Sequence, residues 1–187
     1  MFYRKTYASI DSALAIRRTV QRIKISTANA PTDWGATLKA VPKLKRLELI
    51  GEPSSWIEKG YSIPMEVGEL IQLQHLSILN VAISEIPEWL ADLKNLRTLV
   101  IRGTDIKEVP TLVLSLKKLR DLRVENCPVE NVDFPLTPLI KLEHLGFADT
   151  LINDIPPGHL PGSLKSIALG NPNRYYKKEA LENWKNR

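Results

Sequence analysis

The side chains that could do chemistry are few, and their spacing keeps them apart. His75 and His144 occupy the same place in an internal pattern but lie three units apart. That separation is roughly 14–15 Å at about 4.8 Å per strand, which is too far to share a metal ion. His159 falls in a predicted loop, and Cys127 is the single cysteine, which excludes an internal disulfide and a multi-cysteine metal site. No basic group near Cys127 in the sequence would activate a thiol, so we interpret this residue as structural.

Catalytic motifs are also missing from the sequence. It contains no G-x-S-x-G nucleophile turn, no glycine-rich phosphate loop and no H-E-x-x-H zinc motif. Asp121 and Glu125 lie on neighbouring strand positions beside Arg123, and a solvated face with compensated charge explains them better than acid–base catalysis. The sequence therefore predicts a protein without an enzyme active site, a metal or a cofactor.

Composition and charge indicate a soluble globular domain. Hydrophobic residues make up 43% and charged residues 25% of the 187 residues, which excludes general disorder, and an aromatic content of 6% requires an aliphatic core. The net charge of +5 favours encounter with acidic partners. Residues 1–18 lack the apolar stretch of a signal peptide, and no apolar run approaches the roughly 18 residues that span a bilayer. We expect a cytoplasmic protein, with export by a dedicated secretion system as the alternative.

The elements that position these side chains come from an internal repeat. Its period is 23 residues, and it is marked by leucines at Leu73, Leu96, Leu119 and Leu142. In three of these units an Ile-Pro or Val-Pro pair follows with its proline 14 residues after the leucine. Fainter copies begin at Val20, Leu44 and Leu164, so the sequence contains seven strand motifs. The copy at Leu44 is longer, with a predicted surface loop over 51–62.

The repeat LxxLxL, followed by an apolar residue and IxxIPxxLxxL, resembles the leucine-rich-repeat family, in particular its bacterial members. The resemblance extends from Val20 to Asn171. It implies an α/β fold: a solenoid with a curved parallel sheet on its concave face and helical turns or extended segments on its convex face. We expect one domain over 1–187, with an N-terminal cap over 1–19, about seven repeats over 20–171 and a C-terminal cap over 172–187.

Helices are predicted to cap both ends of the solenoid. The run YASIDSALAIRRTVQRIKIS resembles the N-terminal cap of bacterial leucine-rich-repeat proteins, with a helix that begins near Ser9. After a turn at Asn171 and Pro172, the apolar spacing of Leu181 and Trp184 predicts an amphipathic helix packed on the last repeat. A nucleic-acid or membrane contact is the alternative role of this basic, aromatic tail.

One position of the repeat departs from the family pattern. Its ninth residue is commonly an asparagine that hydrogen-bonds neighbouring turns, but here it is Val81, Thr104, Cys127 and Thr150. A threonine hydroxyl can form some of the hydrogen bonds that the asparagine side chain makes to these backbone groups, a thiol forms them weakly and valine cannot form them. We therefore expect the backbone groups of some turns to be hydrogen-bonded by water or to avoid the need through altered backbone geometry.

Residues between the core positions of each strand point into the concave face, where we predict partner binding. The N-terminal end of this face is basic, and its centre exposes Ile50, Leu79 and Val100 side by side, flanked by arginines and then by acids. An apolar centre rimmed by arginine is typical of a protein-binding hot spot, although scattered exposed aliphatic residues are also normal. The predicted site comprises Arg22, Lys24, Arg46, Glu48, Ile50, His75, Leu79, Val100, Arg102, Asp121, Arg123 and Glu125.

Three functions are compatible with this interpretation. The first is a monomeric, non-catalytic module that binds a protein or peptide on the concave face. The second is the recognition domain of a secreted bacterial effector, which the ending LPGSL-x-x-I-x-L resembles. The third is a binder of an acidic polymer, nucleic acid or polysaccharide, at the basic end, although no aromatic stripe for stacking bases supports nucleic acid. Other basic residues are expected on convex segments, where they aid solubility: Lys94, Lys117, Lys118 and Lys141.

Overall fold

The computed structural model describes residues 20–51, 62–170 and 174–177. These residues form a sheet of eight strands in chain order, of which the first seven are parallel and the eighth is antiparallel to the seventh. The strands are β1 (Arg22–Ser26), β2 (Arg46–Ile50), β3 (His75–Leu79), β4 (Thr98–Arg102), β5 (Asp121–Glu125), β6 (His144–Ala148), β7 (Ser166–Gly170) and β8 (Arg174–Lys177).

Each parallel strand occupies the same five positions of its repeat, so its inward side chains stack in two columns. Leu76 pairs with Leu99, and Ile78 pairs with Ile101. All four side chains are at most 1% exposed. Because one unit cannot bury its own apolar face, this stacking forms the continuous core of the molecule. The seven predicted strand motifs and the solenoid fold are confirmed.

The convex side is built mainly from short 3₁₀ helices. Proline locks φ at about −65° and donates no hydrogen bond, so the Ile-Pro pair ends an extended segment and begins a helical turn. The first repeat instead forms helix α1 (Trp34–Lys39), where Asp33 Oδ1 accepts the Ala36 amide at 2.8 Å and caps the helix. The 3₁₀ helices are Thr27–Asn29, Met65–Glu69, Glu88–Asp92, Thr111–Ser115 and Pro157–His159, and the last four directly follow a proline.

A residue with left-handed backbone follows each of the strands β3 to β6. These residues share one position of the repeat, and their types are those that adopt positive φ at the least cost. They turn the chain out of the strand towards the convex side. They are Asn80 (φ 53°), Gly103 (φ 62°), Asn126 (φ 49°) and Asp149 (φ 54°).

At the ninth position of the repeat, threonine and cysteine side chains form hydrogen bonds within the turns. Thr150 Oγ1 donates to the Phe147 carbonyl at 2.7 Å and accepts the Ile152 amide at 3.3 Å. Thr104 and Cys127 meet in adjacent turns, with 3.3 Å between Oγ1 and Sγ. Cys127 is 4% exposed, which supports the interpretation that it is structural.

The C-terminal end of the chain differs from the prediction in the four residues of the predicted cap that the structure describes. The predicted helix after Pro172 is wrong for Arg174–Lys177, which forms β8. Its pairing with β7 covers the edge that the last parallel strand would otherwise expose. The predicted N-terminal cap over 1–19, the loop residues 52–61 and the tail 178–187 lie outside the described residues.

The lysines predicted on convex segments lie elsewhere. Lys94, Lys117 and Lys118 follow the 3₁₀ helices and occupy the turns that lead into β4 and β5. Lys141 lies in the corresponding turn before β6. Since parallel strands begin at a common edge, these side chains line one edge of the sheet rather than its convex side.

Candidate partner-binding face

All twelve residues predicted to bind a partner lie on outward positions of β1–β5. Each of them is exposed or half-buried. Continuous register arranges them in three columns across the sheet, which also contain Ser77 and Thr98. From β1 to β5 the columns contain Arg22, Arg46, His75 and Asp121; Lys24, Glu48, Val100 and Arg123; and Ile50, Leu79, Arg102 and Glu125.

The apolar centre of this face is smaller than predicted. Ile50 and Leu79 are register partners on β2 and β3, as expected. Val100 instead pairs with Ser77 and lies diagonally from Leu79, because it occupies the middle column. The neighbour of Leu79 on β4 is Arg102. The centre is therefore an aliphatic pair bordered directly by an exposed arginine.

The N-terminal end of the face concentrates positive charge. Arg46 pairs in register with Arg22 on one side and with His75 on the other. Its ion pair with Glu48 is long, at 3.9 Å between nitrogen and oxygen, and its buried Nε has no hydrogen-bond partner among the described residues. Burial first, and then the charges of Arg46 and Arg22, lower the pKa of His75. A carboxylate or phosphate of a partner would neutralise part of the positive charge of Arg22 and Arg46.

We expect the imidazole of His75 to titrate below about pH 6.5, the ordinary value for histidine, since burial and the nearby arginines lower its pKa. The unfolded chain then binds a proton in a pH range in which the native chain does not. The contribution of His75 to the free energy of unfolding should therefore fall as the pH is lowered through about 6.5, and level off below its native pKa.

Proton NMR measures this midpoint, with His75→Asn used to assign the signal. Arg46→Gln should raise the midpoint, because it removes the cation with the largest effect on His75. A wild-type midpoint at or above the ordinary value would contradict both the burial of the ring and its closeness to the arginines.

The C-terminal part of the face contains a depression that the sequence analysis missed. Its volume is about 330 Å³, and small residues form its floor. A methyl group added at Gly146 would lie 3.1 Å from the side chains of both Arg123 and Glu125, so the glycine keeps the space between them open. The run of small residues in the outward columns of β6 and β7 was the available signal. The lining is Arg123, Glu125, His144, Leu145, Gly146, Ala148, Ser166 and Ala168.

The polar groups around the depression are only partly paired. Arg123 donates two hydrogen bonds of 2.9 Å to the carboxylate of Asp121, which compensates its charge. His144 Nδ1 lies 2.8 Å from Ser166 Oγ. Within the described part of the chain, no ion pair involves the carboxylate of Glu125. The depression can therefore receive a cationic or amide side chain of a partner.

Titratable residues elsewhere are dispersed. Within residues 20–51, 62–170 and 174–177, no three His, Cys, Asp or Glu side chains are placed to hold a metal ion. His75 and His144 lie on strands three apart in the sheet. None of the described helices is long and apolar enough to cross a membrane.

Comparisons with known proteins identify the repeat independently. The family model of the leucine-rich repeat region matches residues 57–156. A leucine-rich-repeat protein of Leptospira interrogans superposes with a TM-score of 0.69 at 18% identity, over 87% of this chain and 46% of that one. TLR13, solved as a complex with ssRNA13, gives 0.65 at 20% identity, over 88% and 24%. Internalin C2 of Listeria monocytogenes gives 0.60 at 21% identity, over 90% and 78%.

At these identities the structural likeness shows the fold alone. The chain spans about half the length of the Leptospira protein and about a quarter of TLR13. No curated protein sequence matches it significantly. The family model, however, matches more than half of the 187 residues. The chain therefore belongs to the leucine-rich-repeat family.

Proposed function

We propose that the chain is a non-catalytic module that holds a partner protein or peptide on the outward face of β1–β5. The observation that carries the proposal is the aliphatic pair of Ile50 and Leu79, bordered in the same column by the exposed Arg102. Binding hot spots combine a desolvated apolar anchor with arginine and a polar surround that excludes water. Flat strands in continuous register also hold these side chains at fixed separations, so little ordering is needed on binding.

The charges along the face favour one orientation of the partner. Arg22 and Arg46 leave positive potential at the end formed by β1–β3. At β5 the charge of Arg123 is compensated by Asp121, and Glu125 remains unpaired within the described residues. A partner that crosses the sheet would therefore place an acidic group over β1–β3 and a cationic or amide group near the depression.

Replacing Leu79 and Arg102 together by alanine is expected to weaken binding at least tenfold, or by about 1.4 kcal/mol. Thermal unfolding should be nearly unchanged, because neither side chain belongs to the buried core. Peptides selected from a displayed library, and proteins captured from a lysate of the source organism, supply the partners. Biolayer interferometry then gives the Kd for wild type and variant.

A matched control replaces Leu151 and Lys107 by alanine. It likewise removes one leucine and one cation, but both come from the turns beyond the strands, and Leu151 is 57% exposed. The control should leave the Kd unchanged. Equal losses in the two double variants would exclude the proposed face, and so would joint loss of folding and binding in the first.

The positive charges of Arg22 and Arg46, which are register partners, support a second candidate function, binding of an acidic polymer. The dependence on salt separates the two. Polymer binding should collapse between about 50 and 200 mM salt, because each phosphate contact releases counterions, whereas hot-spot binding should change much less.

A further inference from the structure

One edge of the sheet, where the turns lead into the parallel strands, carries a row of mostly basic side chains. The row also contains two isoleucines and one acid, Glu143. All of its side chains are exposed except those of Lys45 and Glu143, which are half-buried. Residues at the same repeat position recur on successive turns, so the row follows the solenoid. We define the basic rim as Lys43, Lys45, Ile71, Lys94, Arg97, Lys117, Lys118, Arg120, Ile140, Lys141, Glu143 and Lys165.

Backbone hydrogen bonds hold the basic rim in line. The amide of Arg97 donates to the Gln74 carbonyl, and the amide of Arg120 donates to the Arg97 carbonyl, each at 2.8 Å. In the same way the Gln74 amide donates to the Lys45 carbonyl, and corresponding bonds lead from Arg120 through Glu143 to Lys165. The sheet ladder thus extends one residue beyond the strands, and the rim runs roughly 24 Å at about 4.8 Å per repeat.

Most of the positive charge on the rim is uncompensated. The Glu143 carboxylate pairs with Arg120 at 2.6 Å and with Lys165 at 2.8 Å. Among the described residues, no carboxylate lies within ion-pair distance of the other rim cations.

The opposite edge of the sheet, where the strands end, has the reverse charge. Lys107 is the single cation of its described turns. The molecule is therefore polarised along the strand direction, with one basic and one acidic edge. The acids of this edge are Asp33, Glu85, Asp105, Glu108, Glu130, Asp133, Asp149 and Asp154.

Two exposed isoleucines distinguish the basic rim from a purely electrostatic surface. Ile71 is 59% exposed and Ile140 is 71% exposed. They occupy the repeat position that holds Lys94 and Lys117 in the two repeats between them. Apolar side chains that enter the headgroup region, beside lysines that attract anionic lipid, are the composition of a membrane-surface contact. A linear polyanion would engage the lysines alone.

We propose that the basic rim docks the protein on an anionic phospholipid surface. The anionic surface attracts the basic rim and repels the acidic edge. The strands are therefore oriented with their N-terminal ends towards the lipid and their C-terminal ends away from it. In this orientation the outward face of β1–β5 stays accessible to a partner. Docking would hold the protein at a membrane while it binds that partner. The docking proposal does not depend on the proposed binding function, because the two surfaces share no residue.

Sedimentation of the full chain with vesicles tests the proposal. The vesicles contain phosphatidylcholine with roughly 30% phosphatidylserine, or phosphatidylcholine alone, at about 0.1 M salt. We expect binding to the anionic vesicles only. Replacing Lys94, Lys117 and Lys118 together by glutamate should lower the partition coefficient at least tenfold. Absence of wild-type binding to the anionic vesicles would overturn the proposal.

A matched control makes the same change of net charge away from the rim. It replaces the exposed Lys24, Arg102 and Lys107 by glutamate and should retain most of the vesicle binding. Equal losses in the two triple variants would show attraction by net charge and exclude a docking surface at the rim. Circular dichroism and thermal unfolding should be unchanged in both, since every altered side chain is exposed.

The isoleucines separate a membrane from a polyanion. Ile71→Ser combined with Ile140→Ser should weaken vesicle binding about three- to tenfold and leave the affinity for heparin or a single-stranded oligonucleotide unchanged. Vesicle binding equal to that of wild type would overturn the proposal in favour of a polyanion site.

Discussion

Replacing Phe147 by alanine is expected to lower the free energy of unfolding by about 3–5 kcal/mol. The ring is 0% exposed and is the largest fully buried side chain among the described residues. It points from β6 into the core and pairs in register with Leu169 of β7, so its removal leaves a cavity between inward side chains. The interior is close-packed, so the lost contacts are not replaced. Chemical denaturation followed by circular dichroism measures the loss.

The damage should be local, because each repeat of a solenoid contacts only its neighbours. Amide hydrogen exchange is expected to lose protection in β6 and β7 more than in β2 and β3. Phe147→Leu is the matched control, since Leu169 fills the same position in the next repeat, and it should cost less than half as much. If the alanine variant loses less than about 1 kcal/mol, the ring does not support the core as described.

The solenoid could be predicted from the sequence because its signal is local and repeated. The alternation at Leu76 and Ile78 identifies one strand, and the 23-residue period then assigns its neighbours. The left-handed residues at Asn80 and Asn126 carry the same period. No such signal exists for β8, because an antiparallel edge strand depends on its pairing with β7, and the apolar spacing of the tail also fits a helix.

The candidate face could be predicted position by position, but the relations between its side chains could not. Alternation identifies the outward residues and puts Ile50 and Leu79 in one column, which the register confirms. The double hydrogen bond between Arg123 and Asp121 depends on rotamers, and the depression depends on what surrounds Gly146. The sequence predicts Lys94, Lys117, Lys118 and Lys141 on the convex side instead of the basic rim, because periodicity does not show where a 3₁₀ helix ends and the next turn begins.

Replacing Gly51 by alanine is expected to destabilise the N-terminal repeats by about 3 kcal/mol or more. Gly51 follows β2, and its amide donates to the Leu79 carbonyl at 2.8 Å. A β-carbon there would overlap the carbonyl group of Asn80, 2.6 Å from its carbon atom. The obstacle is backbone, and the Asn80 amide is itself bonded to the Arg102 carbonyl at 2.8 Å. Neither repeat can move aside without lengthening the hydrogen bonds of the ladder.

Gly162→Ala is the matched control, because an added β-carbon meets no heavy atom within 4 Å there. It should leave the free energy of unfolding within about 0.5 kcal/mol of wild type, while Gly51→Ala lowers Tm by roughly 6–12 °C. Equal small effects would mean that the second and third repeats separate easily. A large effect at Gly51 alone would show that the close approach of the two backbones at Gly51 keeps the second and third repeats together. The same close approach would then maintain the spacing of Ile50 and Leu79, on which the proposed binding face depends.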